Sequence, residues 1–153
     1  MSDAAAELPG FEQLGFVRAL NAPTPAEIEG LADLFDRYRA HYVEGVDASQ
    51  SRRWLQRNIG SGRLDAFVAE SDGELVGFAI TMDVPASLRL GHFWQIRDLF
   101  VVPHRRRLGV ARALLDHIRS AATAAGALRL VLQTELDNTS ALRLYEEKRS
   151  RGN

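Results

Sequence analysis

The segment Asp98-Leu99-Phe100-Val101-Val102-Pro103-His104-Arg105-Arg106-Arg107-Leu108-Gly109-Val110-Ala111-Arg112-Ala113-Leu114-Leu115 runs an apolar strand into a short basic turn and the turn straight into an amphipathic helix. Leu108, Ala111, Leu115, Ile118 and Ala122 form one stripe of that helix, Gly126 is placed to cap it, and a further apolar strand follows over 128–134. A strand-helix-strand step of this length joins two parallel neighbours by a right-handed crossover. Few folds accommodate such a step, so it constrains the chain more than any other feature. The helix entrance also has a chemical meaning. The first turn of a helix carries unpaired N–H groups and the positive end of the macrodipole. Arginines there oppose the dipole by ~0.3–1 kcal/mol per exposed charge. Three in a row imply an anionic ligand that reverses the sign of the effect. Arg106, Gly109 and Ala111 stand in an Arg-x-x-Gly-x-Ala spacing, and the residues without bulk let a phosphate approach the backbone. The turn reads as a seat for a di- or polyphosphate. The plainer alternative is a solvated basic face.

Upstream, Phe16 to Leu20 is a plausible first strand. Thr24-Pro25 supplies an N-cap with proline at the first helical position, and Ile28, Leu31, Leu34, Phe35, Tyr38 and Tyr42 follow at helical spacing. The spacing predicts a helix to about Tyr42 and a second over 50–59, ended by Gly60-Ser61-Gly62. The runs 66–70 and 75–80 flank Ser71-Asp72-Gly73-Glu74, a hairpin signal. Pro85 to Gly91 reads as a loop and His92 to Val102 as the next strand. The continuous apolar character of 128–134 suggests burial on both faces. Asn138 can cap a last helix carrying Ala141, Leu142 and Tyr145. The expected fold class is α/β (α+β): a mixed, mainly antiparallel sheet with one central parallel pair, flanked by helices. The expected organisation is a leader over 1–13 and a single domain over 14–153.

Composition narrows the chemistry. The chain has 153 residues with 19 basic and 20 acidic side chains, so bulk attraction to nucleic acid is not expected. With no cysteine there is no thiol catalysis and no cysteine-held metal, and the four histidines show no paired ligand spacing. No apolar run approaches the ~20 residues of a membrane span. The first ten residues do not read as a signal peptide, and the expected location is the cytoplasm.

Strand, basic turn and helix together resemble motif A of the GNAT superfamily of N-acetyltransferases, an Arg/Gln-x-x-Gly-x-Gly/Ala turn after a strand that ends near a proline. Asn138-Thr139-Ser140-Ala141-Leu142-Arg143-Leu144-Tyr145 is similar to the family's Asn-x-x-Ala-x-x-x-Tyr helix, and the hairpin ending Val76-Gly77-Phe78 fits as well, so the likeness spans roughly residues 14–146. The resemblance implies transfer of an acetyl group from acetyl-CoA to a primary amine, of a small molecule or amino acid rather than a protein, by direct attack and without metal. It implies that backbone groups of Leu99, Phe100 and Val101 meet the pantetheine arm. It gives Arg106 a place in the phosphate seat, with the amides of Arg107, Leu108, Gly109, Val110, Ala111 and Arg112 on the pyrophosphate. Asn138 would reach the cofactor arm and Tyr145 would protonate the departing thiolate. A phenol of ordinary pKa near ~10 suits that task.

Asp98, an acid inside an apolar strand, needs a role or a partner to offset its desolvation. It is a candidate base for the incoming ammonium; the alternatives are pairing with Arg97, Arg106 or a backbone amide. Glu135 is a weaker candidate for substrate binding. Trp94, Tyr38, Tyr42 and Trp54 are candidates for lining an acceptor pocket, against the plainer reading of core aromatics. One departure from the family pattern concerns the end of the chain. The family's tyrosine helix is normally followed by Gly-Phe/Tyr and closing strands, whereas Glu146 to Asn153 is polar. The expectation is a missing C-terminal closing strand, through truncation, an altered terminus or coverage of the exposed edge by another copy in a homodimer. The alternative function is a non-catalytic acyl-CoA-binding sensor or assembly module.

Overall fold

The computed structural model describes residues 15–133. The elements are β1 (Gly15–Ala19), α1 (Pro25–Arg39), α2 (Ala48–Asn58), β2 (Asp65–Ser71), β3 (Glu74–Ala86), β4 (Gly91–Val101), α3 (Val110–Ala124) and β5 (Leu130–Leu132), with a single 3-10 turn at Pro103–Arg105 before α3. The strands form one sheet in the order β1-β2-β3-β4-β5. All pairs are antiparallel except β4 with β5. The predicted parallel crossover through α3 is therefore present, at one end of the described sheet. The leader, the helix carrying Asn138 and Tyr145, and the C-terminal closing strand lie outside the described residues, as does Glu135.

Local chemistry explains most element boundaries. Thr24 caps α1 through a reciprocal box: the Glu27 amide donates to Thr24 Oγ1 at 3.2 Å and the Thr24 amide to Glu27 Oε1 at 3.0 Å. The helix ends at Arg39, three residues before the apolar spacing runs out at Tyr42. Asp47 caps α2, accepting from the Ser49 amide at 2.9 Å. At the β2–β3 turn Asp72 and Gly73 both take positive φ, 53° and 75°, as a two-residue hairpin of the predicted kind demands. Gly126, at φ 78°, closes α3: its N–H donates to the Thr123 carbonyl and that of Ala127 to the Ala122 carbonyl.

Two expectations need correction. The loop predicted over 85–91 is only four residues long, because Pro85 and Ala86 pair with His92 and Gly91. Proline is tolerated there because β2 pairs β3 no further than Thr81, so β3 has a free side beyond that point. The last strand is also less enclosed than its apolar run suggested. Leu132 is buried, but Leu130 and Val131 are half-buried, since β4 is the only described strand beside them.

The sheet separates two apolar layers. On one face α3 buries Val110, Leu114, Leu115 and Ile118, and Phe67 meets His117 of that helix. On the other, α1 buries Leu31, Leu34, Phe35 and Tyr38, and Phe35 stacks on Trp54 of α2 at 5.5 Å. No helix among the described residues is long and apolar enough to cross a membrane.

Asp65, at the start of β2, carries a testable cost. Burial, and secondarily repulsion from Asp83, raise its pKa above the ordinary carboxylate value. A group whose folded pKa is raised binds its proton more tightly in the native state, so its contribution to stability falls as pH rises through the carboxylate range. Asp65→Asn is expected to stabilise the protein at neutral pH and to lose that advantage as pH is lowered toward 3, roughly the bottom of the carboxylate range. Denaturant midpoints across that range check the sign.

Candidate active site

The edge of β4 is built by a bulge. Ile80 pairs with Asp98 but Thr81 pairs with Ile96, so Arg97 is an extra residue with no partner across the ladder. An extra residue reverses which backbone groups face which neighbour. Before it, the Trp94 amide donates to the Arg129 carbonyl at 3.0 Å and the Ile96 carbonyl accepts from Gln133 at 2.9 Å, both toward β5. After it, the Val102 amide donates to Val76 on β3 at 2.9 Å. By alternation Phe100 also turns its backbone toward β3, and Leu99 and Val101 turn theirs to the far side. The backbone groups turned away from β3 are therefore those of Leu99 and Val101, whereas Phe100 presents its ring to the opposite, α1-bearing face, 5.7 Å from the Tyr38 ring. Arg106 folds back on this edge: its Nε donates to the Val101 carbonyl at 3.0 Å, and its guanidinium carbon lies 5.8 Å from the Phe100 ring centre.

The entrance of α3 lies next along the chain. Gly109 is the N-cap in the left-handed conformation, at φ 91°, and no side chain caps the helix. The first helical bond runs from the Ala113 amide to the Gly109 carbonyl, at 3.0 Å. The amides of Val110, Ala111 and Arg112 precede it and have no place in the helical ladder. No acidic residue occupies the first turn. A Cβ at Gly109 would meet nothing within 4 Å, so it is the left-handed backbone rather than crowding that calls for glycine at the cap. The helix sits close to the sheet because Gly77 lies beneath it: a Cβ there would come within 3.1 Å of Val110 Cγ1 and 3.3 Å of Leu114 Cδ1. Arg105 donates to Ser71 Oγ at 3.4 Å, and Arg107, in the left-handed region at φ 71°, points an exposed side chain outward, as does Arg112. None of Arg105, Arg106, Arg107 and Arg112 forms an ion pair among the described residues. An uncapped positive helix end and unpaired guanidiniums fit the pyrophosphate of a CoA-like molecule.

Across the sheet from α3, a cleft of about 1120 Å³ opens between α1, α2 and β4. Its floor holds Asp98, half-buried, whose Oδ1 accepts a hydrogen bond from the Tyr38 hydroxyl at 2.8 Å. Tyr38 is itself fixed by ring contacts to Phe78 at 5.5 Å and Tyr42 at 5.5 Å. Asp98 thus finds its partner in a phenol on α1, and forms no ion pair with Arg97 or Arg106 among the described residues. Tyr38, Tyr42 and Trp54 are among the residues lining the cleft, and Tyr38 and Trp54 also pack in or against the core. Trp94 does not line it; it packs on Phe67, 6.2 Å between rings, at the face that carries α3. Asn138 and Tyr145 lie outside the described residues. Sequence reasoning did not foresee the bulge, nor the link from Tyr38 to Asp98. Among the described residues no group of three acidic, histidine or cysteine side chains is placed to hold a metal.

A helix entrance without a side-chain cap, a backbone edge and a cleft lined by Asp98 thus adjoin β4. Residues 29–150 match the model of the acetyltransferase (GNAT) family. The chain belongs to this family. Among its relatives, an uncharacterized N-acetyltransferase of Bacillus subtilis, YhfO, is 32% identical over 122 residues, covering 80% of this chain and 82% of that protein. The crystal structure of a probable acetyltransferase superimposes with a TM-score of 0.76 at 29% identity, covering 86% of each chain. An aminoglycoside acetyltransferase from a soil metagenome shares the fold, with a TM-score of 0.74 at 18% identity, covering 90% of this chain and 88% of that one. This GNAT acetyltransferase therefore carries the family's mixed sheet together with its strand-to-helix turn.

Proposed function

We propose that this GNAT acetyltransferase takes its acetyl group from acetyl-CoA and passes it to the amine of a small molecule by direct attack. The observation that carries the reading is the uncapped start of α3, where three amides outside the helical ladder adjoin unpaired arginines and the Leu99–Val101 edge. The amides of Val110, Ala111 and Arg112, with Arg106 and Arg107, bind the pyrophosphate. The Leu99 and Val101 backbone groups align the arm as an added strand would. Asp98 takes a proton from the incoming ammonium, directly or through water, and the Tyr38 hydroxyl holds that carboxylate in place. The freed amine forms the C–N bond to the acetyl carbon as the C–S bond breaks. The thiolate receives a proton, for which Tyr145 is our candidate donor, and Asn138 is our candidate contact to the arm. Acceleration comes chiefly from positioning and from donors aimed at developing charge.

The test is a pair of measurements. Millimolar CoA is expected to raise the melting temperature, since a ligand bound by the folded state alone stabilises it. Thiol release from acetyl-CoA should depend on an added amine and slow in Tyr145→Phe, with the CoA-dependent shift intact. No shift at millimolar CoA would defeat the reading, and a shift without turnover on any amine would point to a binding module instead.

A further inference from the structure

The cleft above Asp98 has a charge pattern that the general acetyl-transfer reading does not require. Five arginines line it: Arg39 from α1, Arg53 and Arg57 from α2, Arg63 from the following loop, and Arg97 at the bulge. Among the described residues Asp98 is the one carboxylate in the lining. None of the five arginines forms an ion pair among the described residues. Arg97 donates to Gln95 Oε1 at 2.9 Å, a neutral partner, and Arg39 donates to Ser51 Oγ at 3.2 Å, whose hydroxyl in turn donates to Asp36, an acid outside the lining. Asp47, the α2 cap, is held below its ordinary carboxylate value chiefly by hydrogen bonds from Ser49, and the attraction of Arg53 is the smallest of the causes. The sequence agrees, because no acidic residue occurs from Ala48 through Leu64 while four arginines do. The other arginine of that segment, Arg52, faces away and is neutralised by Glu29 at 2.6 Å. Where an acid sits opposite a guanidinium on this helix, it is outside the cleft.

Unneutralised guanidiniums around a cavity raise the local concentration of anions and present planar donors suited to carboxylate or phosphate oxygens. The same field repels polycations. From this lining, and resting on the acetyl-transfer reading above, we infer that the acceptor is a zwitterionic or anionic small molecule: an amine that also bears an oxyanion, carboxylate or phosphate. Its oxyanion engages the arginines at the mouth and its ammonium points down to Asp98. The two ends of the cleft then match the two ends of the molecule. Tyr42 and Trp54 supply apolar walls between them. Polycationic acceptors such as aminoglycosides or polyamines are disfavoured by the same charges.

The experiment compares amines in matched pairs: phenylalanine against phenethylamine for a carboxylate, and phosphoethanolamine against ethanolamine for a phosphate, with spermine and kanamycin as polycations. Thermal shift without CoA reads binding of each amine on its own, and thiol release from acetyl-CoA reads transfer. At least one acid-bearing member should exceed its acid-free partner by about tenfold or more in kcat/KM, as expected for a charge-assisted contact, and the gap should narrow as salt is raised. The pair that shows the gap tells carboxylate from phosphate. The double variant R57E/R63E, at two exposed positions, should erase or reverse the preference while the CoA-dependent shift persists. Equal or better turnover of the acid-free or polycationic amines overturns the inference, as does a preference untouched by the double variant. Absence of binding and transfer for every amine, with the CoA shift present, also overturns it and leaves the donor assignment standing. Loss of the CoA shift defeats the donor assignment, and the amine-binding arm then decides the acceptor chemistry alone.

Discussion

Arg106→Glu is expected to remove the CoA-dependent rise in melting temperature, with apparent affinity falling by about a hundredfold. A charge-assisted hydrogen bond is lost, worth about 1.5–3 kcal/mol, and each 1.4 kcal/mol is roughly a factor of ten. The carboxylate that replaces it stands beside the pyrophosphate seat and repels the same ligand. The unliganded protein should suffer little, because Arg106 is exposed and gives up only the bond from its Nε to the Val101 carbonyl, worth about 1 kcal/mol, and the placement of its guanidinium over the Phe100 ring, worth about 0.5–1 kcal/mol at an exposed site. The acid even gains from the positive end of α3. Calorimetric titration of CoA alongside melting curves separates the two effects. A variant that keeps full CoA affinity would show that the turn is a solvated face and that the phosphates lie elsewhere.

The second large effect is on stability. Phe78→Ala should cost about 3–5 kcal/mol, the usual penalty for emptying a buried aromatic site. Phe78 is fully enclosed, and its ring lies 5.9 Å from Phe35, 5.5 Å from Tyr38 and 6.1 Å from Phe100. With total stability of a domain this size at about 5–15 kcal/mol, the loss would consume much of the margin. Urea midpoints of wild type, Phe78→Ala and Phe78→Leu give the magnitude, with leucine recovering a good part of it. The same ring supports Tyr38, so transfer by whatever fraction of Phe78→Ala remains folded should also fall. A loss below about 1 kcal/mol would mean that this face of the sheet collapses freely around the gap.

Features governed by neighbouring residues were open to reading from the sequence. The reversal at Asp72-Gly73, the Thr24 cap and the Gly126 terminator each depend on a few adjacent side chains. The entrance of α3 was legible for the same reason: strand, arginines, glycine and helix are contiguous. What escaped depended on pairing at a distance. The bulge at Arg97 exists only relative to the Ile80–Thr81 step of another strand. The hydrogen bond from Tyr38 to Asp98 joins residues sixty positions apart, and the periodicity of α1 marks Tyr38 only as apolar-facing. Trp94 looked like a pocket aromatic until strand alternation assigned it to the layer with α3. The arginines of α2 were visible as charges, but which of them share a wall is decided by how α2 lies on α1.

The unpartnered residue at Arg97 acts as a phase shifter. On its N-terminal side the strand is stitched to β5; on its C-terminal side the backbone of Leu99 and Val101 turns to that same flank, the one we propose for the cofactor arm, and Asp98 lines the cleft below α1 and α2. It is the count of residues at this point, rather than the chemistry of any one of them, that lets a continuous ribbon serve first as scaffold and then as docking rail. For the path of the strand, exchange of the side chain at that step should be forgiven where a one-residue deletion is not.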